Sequence, residues 1–407
     1  MPVQGEDAKG LDSTYAWVRL GVSVLVAAAG GVSLWSVVVL LPAVQSGFHV
    51  DRAAATAPYT LTMIGAAFGQ VAMGRIADRR GIRVPVVAGG VLMAAGYIAS
   101  AFATSVWQFG LAQGLMVALG GAATFGPIVA DVSRWFHRRR GIAVSLAAAG
   151  NYIAGTFWPP VIEHLIAAHG WRTTQIVVGI ACLAVLVPAG LFLSRPAPAQ
   201  PPPGPGRAKA APIALSPGML QALLTVAGVA CCVAMAMPQA HIVAYCGDLG
   251  YGDARGADML ALMMGFGILS RIGSGFIADR LGGLAALLGG SVLQLVALLL
   301  YLGFSSLPAL YVISALFGLF QGGIIPSYAI IVREQFPAAE AGTRFGVIVM
   351  ATMLGMALGG WMSGVIYDAT GSYHAAFANG AGWNLLNLAI ALTLISLSRG
   401  RRRAVLA

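Results

Sequence analysis

Long apolar runs follow one another along almost the whole chain, separated by short stretches of charge, glycine and proline. Twelve runs can be marked out, near residues 17–42, 57–76, 84–104, 106–134, 141–162, 173–194, 216–246, 257–277, 284–304, 307–332, 344–366 and 375–398. A helix needs roughly 20 mostly apolar residues to cross the hydrocarbon core of a bilayer. Backbone amides find no water there, so a spanning segment is a helix or part of a closed barrel. Barrel strands run to about ten residues with alternating polarity, which is not the pattern here. The expected fold class is therefore an all-α membrane protein with twelve transmembrane helices.

The distribution of charge tests that count. With both termini in the cytoplasm, 20 of the 24 Lys and Arg residues fall on the cytoplasmic side. Only Arg52, Arg172 and Arg255 fall outside, and Arg271 remains within a span. Cationic loops are retained in the cytoplasm, and a span missed or invented in mid-chain would scramble so lopsided a split. The net charge of +10 then reflects loops facing anionic lipid headgroups and calls for no nucleic acid.

Composition agrees: 58% of the 407 residues are hydrophobic and 9% are charged, with a mean hydropathy of +0.82. Soluble domains carry roughly 25% charge, so the outer solvent here is lipid. The polar, acidic start "MPVQGEDAKGLDSTYAW" lacks the basic and apolar regions of a cleaved signal, and the first span is expected to be kept. Four cysteines, Cys182, Cys231, Cys232 and Cys246, lie in or beside apolar runs without metal-ligand or redox spacing. No phosphate-binding loop, nucleophile elbow or metal-ligand cluster is visible, so no enzyme, metal or cofactor is expected.

Residues 196–214, "PAPAQPPPGPGRAKAAPIA", are too rich in proline and glycine for a helix and read as a cytoplasmic linker. The halves on either side repeat. "GRIADRRG" (74–81) matches "GFIADRLG" (275–282), and "AAAGNYIAG" ending at Gly155 lines up with "TMLGMALGG" ending at Gly360. The expected organisation is a tail (1–16), a six-helix bundle (17–195), the linker (196–214), a second six-helix bundle (215–398) and a basic tail (399–407). In a duplicated design of this kind the substrate sits near the midplane between the halves, and one half rocks against the other.

These loop signatures, with twelve spans, the linker and the duplication, resemble the major facilitator superfamily along nearly the whole chain. The stretch "GPIVADVSRWFHRRRGIAVSLAAAGNYIAGTFWPPVIEHLIAAHGWR" (126–172) is similar to the fourth-to-fifth-span region of monocarboxylate transporters and oxalate–formate antiporters. The shared features are a proline before the loop, an aromatic pair, a basic cluster followed by small residues, and a closing Gly-Trp-Arg. The lone Arg271 on the eighth span is also a feature of that branch, and the resemblance implies that it contacts a substrate carboxylate. The chain departs from it in places: Gly267 stands where many animal relatives carry an acid, the first span has no lysine, and the eleventh has no second cation.

Arg271 is the sharpest signal on physical grounds too. A guanidinium in mid-span costs upwards of about 2.5 kcal/mol, and it cannot shed its charge. It fits a wet cavity in which a carboxylate accepts two parallel hydrogen bonds. The alternative is a structural ion pair, but no Asp or Glu stands well inside any other span. One cation balances about one anionic charge, which favours a monoanion. The repeat places Gln70 in the position of Arg271, each four residues before its signature glycine. Gln70, Asn151 and Tyr152 are candidate substrate contacts or helix–helix hydrogen bonds. Phe125 and Tyr328 flank prolines near the positions where the resemblance places aromatic substrate contacts. His241, after Pro238, is the candidate proton carrier or a satisfied interfacial histidine. Asp78 with Arg79 and Asp279 with Arg280 sit at cytoplasmic helix ends and are expected to gate.

The combined reading is a secondary transporter, a monomer in an inner membrane, that moves a small organic anion by alternating access. The resemblance implies a monocarboxylate such as lactate or pyruvate. The proton is expected to travel on the substrate or on His241, unless exchange or uniport replaces symport. Efflux of an apolar or cationic compound, and a transporter-like membrane sensor, are the competing readings.

Overall fold

The structure, a computed structural model, describes residues 11–136, 139–198, 213 and 215–406. Among the described residues every regular element is a helix. The first predicted span is three successive helices: α1 (Thr14–Gly30), α2 (Val32–Val39) and α3 (Leu41–Phe48). The second and third are α4 (Arg52–Arg80) and α5 (Arg83–Ala101). The fourth is broken into α6 (Val106–Leu111), a π-helical stretch (Ala112–Ala118), α7 (Leu119–Gly121), a 3-10 turn (Ala122–Thr124) and α8 (Gly126–Ser133). The fifth and sixth run together as α9 (Arg140–Phe192).

In the second half come α10 (Pro217–Asp248), α11 (Asp253–Leu281) and α12 (Gly283–Gly303). The tenth span is broken into α13 (Leu307–Gln321) and α14 (Ile324–Gln335). The last two are α15 (Ala338–Thr370) and α16 (Tyr373–Leu406), the latter running past the expected span end at 398.

Nine segments among the described residues are long and apolar enough to cross a membrane. One of them, Ile142–Phe192, has 51 residues. As a straight helix it would reach about 75 Å, more than twice a hydrocarbon core of about 30 Å. It is interrupted at Gly170, whose φ of 76° and ψ of 158° no helix contains, and so supplies two spans. The more polar α4 and α11, not among the nine, complete the twelve. Starts follow local chemistry: the Ser13 hydroxyl accepts from the Ala16 amide, and Ser216 accepts from the Met219 amide just before Pro217 at the first helical position.

The chain divides into two compact units, Met1–His49 with Ala57–Gly204, and Val50–Thr56 with Pro205–Ala407. In the first, α9 packs on α1 and α5 around a core that includes Trp135, Phe136, Met93 and Tyr97. The indoles of Trp35 and Trp158 donate to the carbonyls of Asn151 (3.2 Å) and Ala28 (3.0 Å), tying the first span to the fifth. Gly89 on α5 lies so close to the fourth span that a β-carbon there would come within 2.5 Å of the Gly120 carbonyl oxygen. In the second unit, α10 packs on α15, α16 and α11, and Tyr301 stacks on Phe377 with ring centres 4.8 Å apart. Most of the expected linker, residues 199–212 and 214, lies outside the described residues.

Candidate functional site

In the second unit the site is built around the break in the tenth span. Gly322 and Gly323 separate α13 from α14, and both lie directly against α11. A β-carbon on Gly322 would come within 2.6 Å of the Gly267 carbonyl oxygen and 2.8 Å of the Ser270 side chain, and one on Gly323 would overlap Ser274. Residues 267, 270, 271 and 274 form one stripe of a helix, because residues three and four apart share a face. Arg271 therefore stands on the stripe of α11 that meets the break. Its side chain is half-buried, and its backbone carbonyl accepts from the Ser274 hydroxyl at 3.1 Å. The half-helix α14 begins at the break with no side-chain cap.

Beside the break, Gln321 at the end of α13 accepts a hydrogen bond from Gln239 on α10 at 2.8 Å. Both are buried, at 1% and 5% exposure. The side-chain amide nitrogen of Gln321 has no acceptor among the described residues.

His241, two residues past Gln239, is fully buried. Its Nε2 lies 2.8 Å from the Gly360 carbonyl and its Nδ1 3.0 Å from the Tyr373 hydroxyl. A carbonyl only accepts, so Nε2 carries the hydrogen and Nδ1 accepts from Tyr373. Both nitrogens of a neutral ring are thereby engaged. Tyr328, on α14, turns its hydroxyl into the same unit, where it donates to Asn387 (3.2 Å). Asn387 in turn donates to the Ser291 hydroxyl (2.7 Å).

The first unit holds the other candidates. Gln70 on α4 is half-buried, and its carbonyl oxygen accepts from the amide of Gly126, the first residue of α8, at 3.2 Å. Phe125 precedes that helix with φ −119° and ψ −81°, the residue at which the fourth span breaks. Asn151 and Tyr152 are half-buried on α9. Asp78, Arg79 and Arg280 are exposed at helix ends; Asp279 lies in α11, and its side chain is outside the described residues.

Two charged clusters escape a linear reading. Arg19, counted above among loop cations, is 1% exposed. Its Nε donates to Asp131 at 2.9 Å, its Nη2 to the Leu193 carbonyl at 3.1 Å, and its guanidinium lies 4.6 Å from the centre of the Trp135 ring. Arg52, in the Val50–Thr56 segment of the second unit, donates to both oxygens of Asp248 at 2.9 Å and lies 4.8 Å from the centre of the Tyr367 ring. Asp368 caps the same turn, accepting from the amides of Arg52 (3.0 Å) and Ala53 (2.6 Å). The available signal was the pairing of each arginine with an acid at the same end of another span, Asp131 for Arg19, and Asp248 and Asp368 for Arg52.

The family model of the Major Facilitator Superfamily matches residues 23–304 and 259–406 of this chain. The chain belongs to the major facilitator superfamily. Among its relatives are monocarboxylate transporter 13 of Bos taurus, 28% identical over 80% of this chain and 77% of the relative, and the MFS-type transporter pynF of Aspergillus niger, 26% identical over 86% and 82%. Solved structures of the same fold include a point mutant of the nucleoside transporter NupG, with a TM-score of 0.72 at 14% identity over 93% of this chain and 99% of that one. A peptide transporter POT in complex with sulfate also scores 0.72, at 14% identity over 94% of each. This major facilitator protein is thus a multi-pass membrane transporter with two six-helix bundles, and it resembles the monocarboxylate transporter branch.

Proposed function

We propose that this member of the superfamily is a secondary transporter of a small organic monoanion, a monocarboxylate of the lactate or pyruvate kind, working by alternating access. It is assigned to an inner membrane with both termini cytoplasmic. The observation that carries the reading is Arg271: a permanent cation on a membrane helix, set on the stripe of α11 that meets an uncapped helix break. A guanidinium there recognises a carboxylate through paired, charge-assisted hydrogen bonds. The similarity to proteins named monocarboxylate transporters supports the same class. Both nitrogens of His241 are already engaged, which favours a structural role for it and a proton that travels with the substrate.

The test is thermal stability of the purified protein against monocarboxylates, dicarboxylates, and neutral and cationic compounds, on wild type and Arg271→Gln. A ligand at a hundredfold excess over its Kd stabilises the folded state by about 2.7 kcal/mol. Monocarboxylates are expected to raise the melting temperature of the wild type and to leave Arg271→Gln unmoved. A shift with cationic or neutral compounds alone would turn the reading to efflux.

A further inference from the structure

We propose that the first unit carries a binding surface for anionic phospholipid where α1 begins and α9 both begins and ends. Arg139 and Arg195 take the phosphates, and the acyl chains lie on apolar side chains next to them. The surface is separate from the site around Arg271 and does not depend on what the protein transports.

An aromatic platform builds this end of the unit. On the first turn of α1, the Tyr15 ring lies 5.2 Å from that of Trp135 and 5.9 Å from that of Phe192, and Trp17 meets Phe136 edge-on at 5.0 Å. The Asp12 amide donates to the Trp135 carbonyl at 3.1 Å, and its carboxylate accepts from the Arg139 amide at 3.3 Å, fixing the loop before α9. Two guanidiniums rest on the platform: Arg195 lies 5.0 Å from the centre of the Tyr15 ring and Arg139 5.9 Å from that of Trp17. Both are exposed, and neither forms an ion pair among the described residues. An arginine whose face rests on a ring keeps its N–H edge for a phosphate.

Charge points the same way. Residues 11–19, 131–140 and 192–195 together hold six arginines and two aspartates. Arg19 and Asp131 form the buried pair, which leaves five arginines against Asp12. The amino end of α9 adds partial positive charge, and its cap residue, Arg139, supplies no side-chain acceptor.

Depth identifies the partner as lipid. Arg139 stands three residues before the span that starts at Ile142, and Arg195 three after its end at Phe192. Three residues reach about 5–10 Å, and the headgroup layer is about 5–7 Å thick on each side of the hydrocarbon. Tyrosine and tryptophan favour that layer. Ile142, Leu191 and Phe192 are exposed. Phe192 is also the ring that packs on Tyr15, so cation and lipid-facing apolar surface adjoin through one side chain. A soluble phosphate would meet only the guanidinium, whereas a phospholipid meets both.

The experiment titrates short-chain phosphatidylglycerol, phosphatidylcholine of the same chain length, and glycerol phosphate into the full chain in detergent, read by melting. Wild type is expected to prefer phosphatidylglycerol about thirtyfold, with each arginine contributing about fivefold. Arg139→Gln and Arg195→Gln should each lower the preference about fivefold, and the double variant should bring it close to one. Arg83→Gln, which removes an exposed arginine at the start of α5, should keep it. No preference in wild type overturns the proposal, as does a preference that survives in the double variant. An equal fall in Arg83→Gln would reduce the effect to general charge attraction and overturn the site. Glycerol phosphate stabilising as strongly as the lipid would make the ligand a soluble anion and overturn it too. Should the double variant not fold, Arg195→Gln decides alone, since Arg195 forms no described ion pair whose loss would unfold the chain. Carboxylate-dependent melting is expected to stay unchanged in Arg195→Gln, so failure here leaves the transport reading untouched.

Discussion

Removing the guanidinium of Arg19 would leave the Asp131 carboxylate buried in the first unit facing, among the described cations, the more distant Arg134, 3.6 Å away and about half exposed. Breaking a buried pair by deleting one partner typically costs about 3–5 kcal/mol, while replacing both with apolar groups is often close to neutral. Arg19→Met should therefore melt well below wild type in detergent, and Arg19→Met with Asp131→Leu should recover most of the loss. Additive losses in the double variant would show that the two side chains act independently. His241 makes a different prediction. Since both ring nitrogens are engaged, by Gly360 and Tyr373, His241→Gln should keep the pH dependence of uptake and lose mainly stability. Uptake that no longer responds to pH in His241→Gln would restore histidine as the proton carrier. At this scale Arg271 was legible in the chain because a charge within an apolar run needs an explanation on its own. Arg19 and Arg52 were not, since each lies close to a span end and only its partners on other helices reveal that it is buried.

At the scale of elements, glycine decides where helices can touch. Gly89→Val would drive a side chain into the Gly120 carbonyl and is expected to cost on the order of 1–3 kcal/mol, seen as a lower melting temperature. Gly74→Ala, at a position where a β-carbon would meet nothing within 4 Å, should melt like wild type or slightly above it, since alanine is the better helix former. A loss of uptake in Gly74→Ala without loss of stability would place the loop signature in gating. The spans themselves were readable from apolar runs, with bounds shifted by a few residues. The breaks in the fourth and tenth were not. "FGP" and "GGIIP" mark places where a helix is easily interrupted, but an interruption inside a membrane is tolerated only where neighbouring groups satisfy the freed amides. Gln70 does this for α8 from a helix more than fifty residues away in the chain.

For the whole molecule, the cytoplasmic bias of arginine and lysine predicts a topology that labelling can check. All four native cysteines are buried and free, so single exposed cysteines can be read against a quiet background. Ser305→Cys, between α12 and α13, should react with an impermeant maleimide from outside intact cells. Ser194→Cys, after α9, should react only once the membrane is opened. The reverse pattern would invert the assigned orientation. The number of spans and the repeat were readable from the sequence alone, and the proposed sidedness rests on it too, because hydrophobic length, internal repetition and loop charge are local properties that do not depend on how helices pack. What tertiary structure alone decided is which polar groups meet: Arg19 with Asp131, Arg52 with Asp248 and Asp368, Gln239 with Gln321, and Arg271's helix with the amino end of α14. Each joins residues far apart in the chain, and the cost of burying a polar group depends on its neighbours in space.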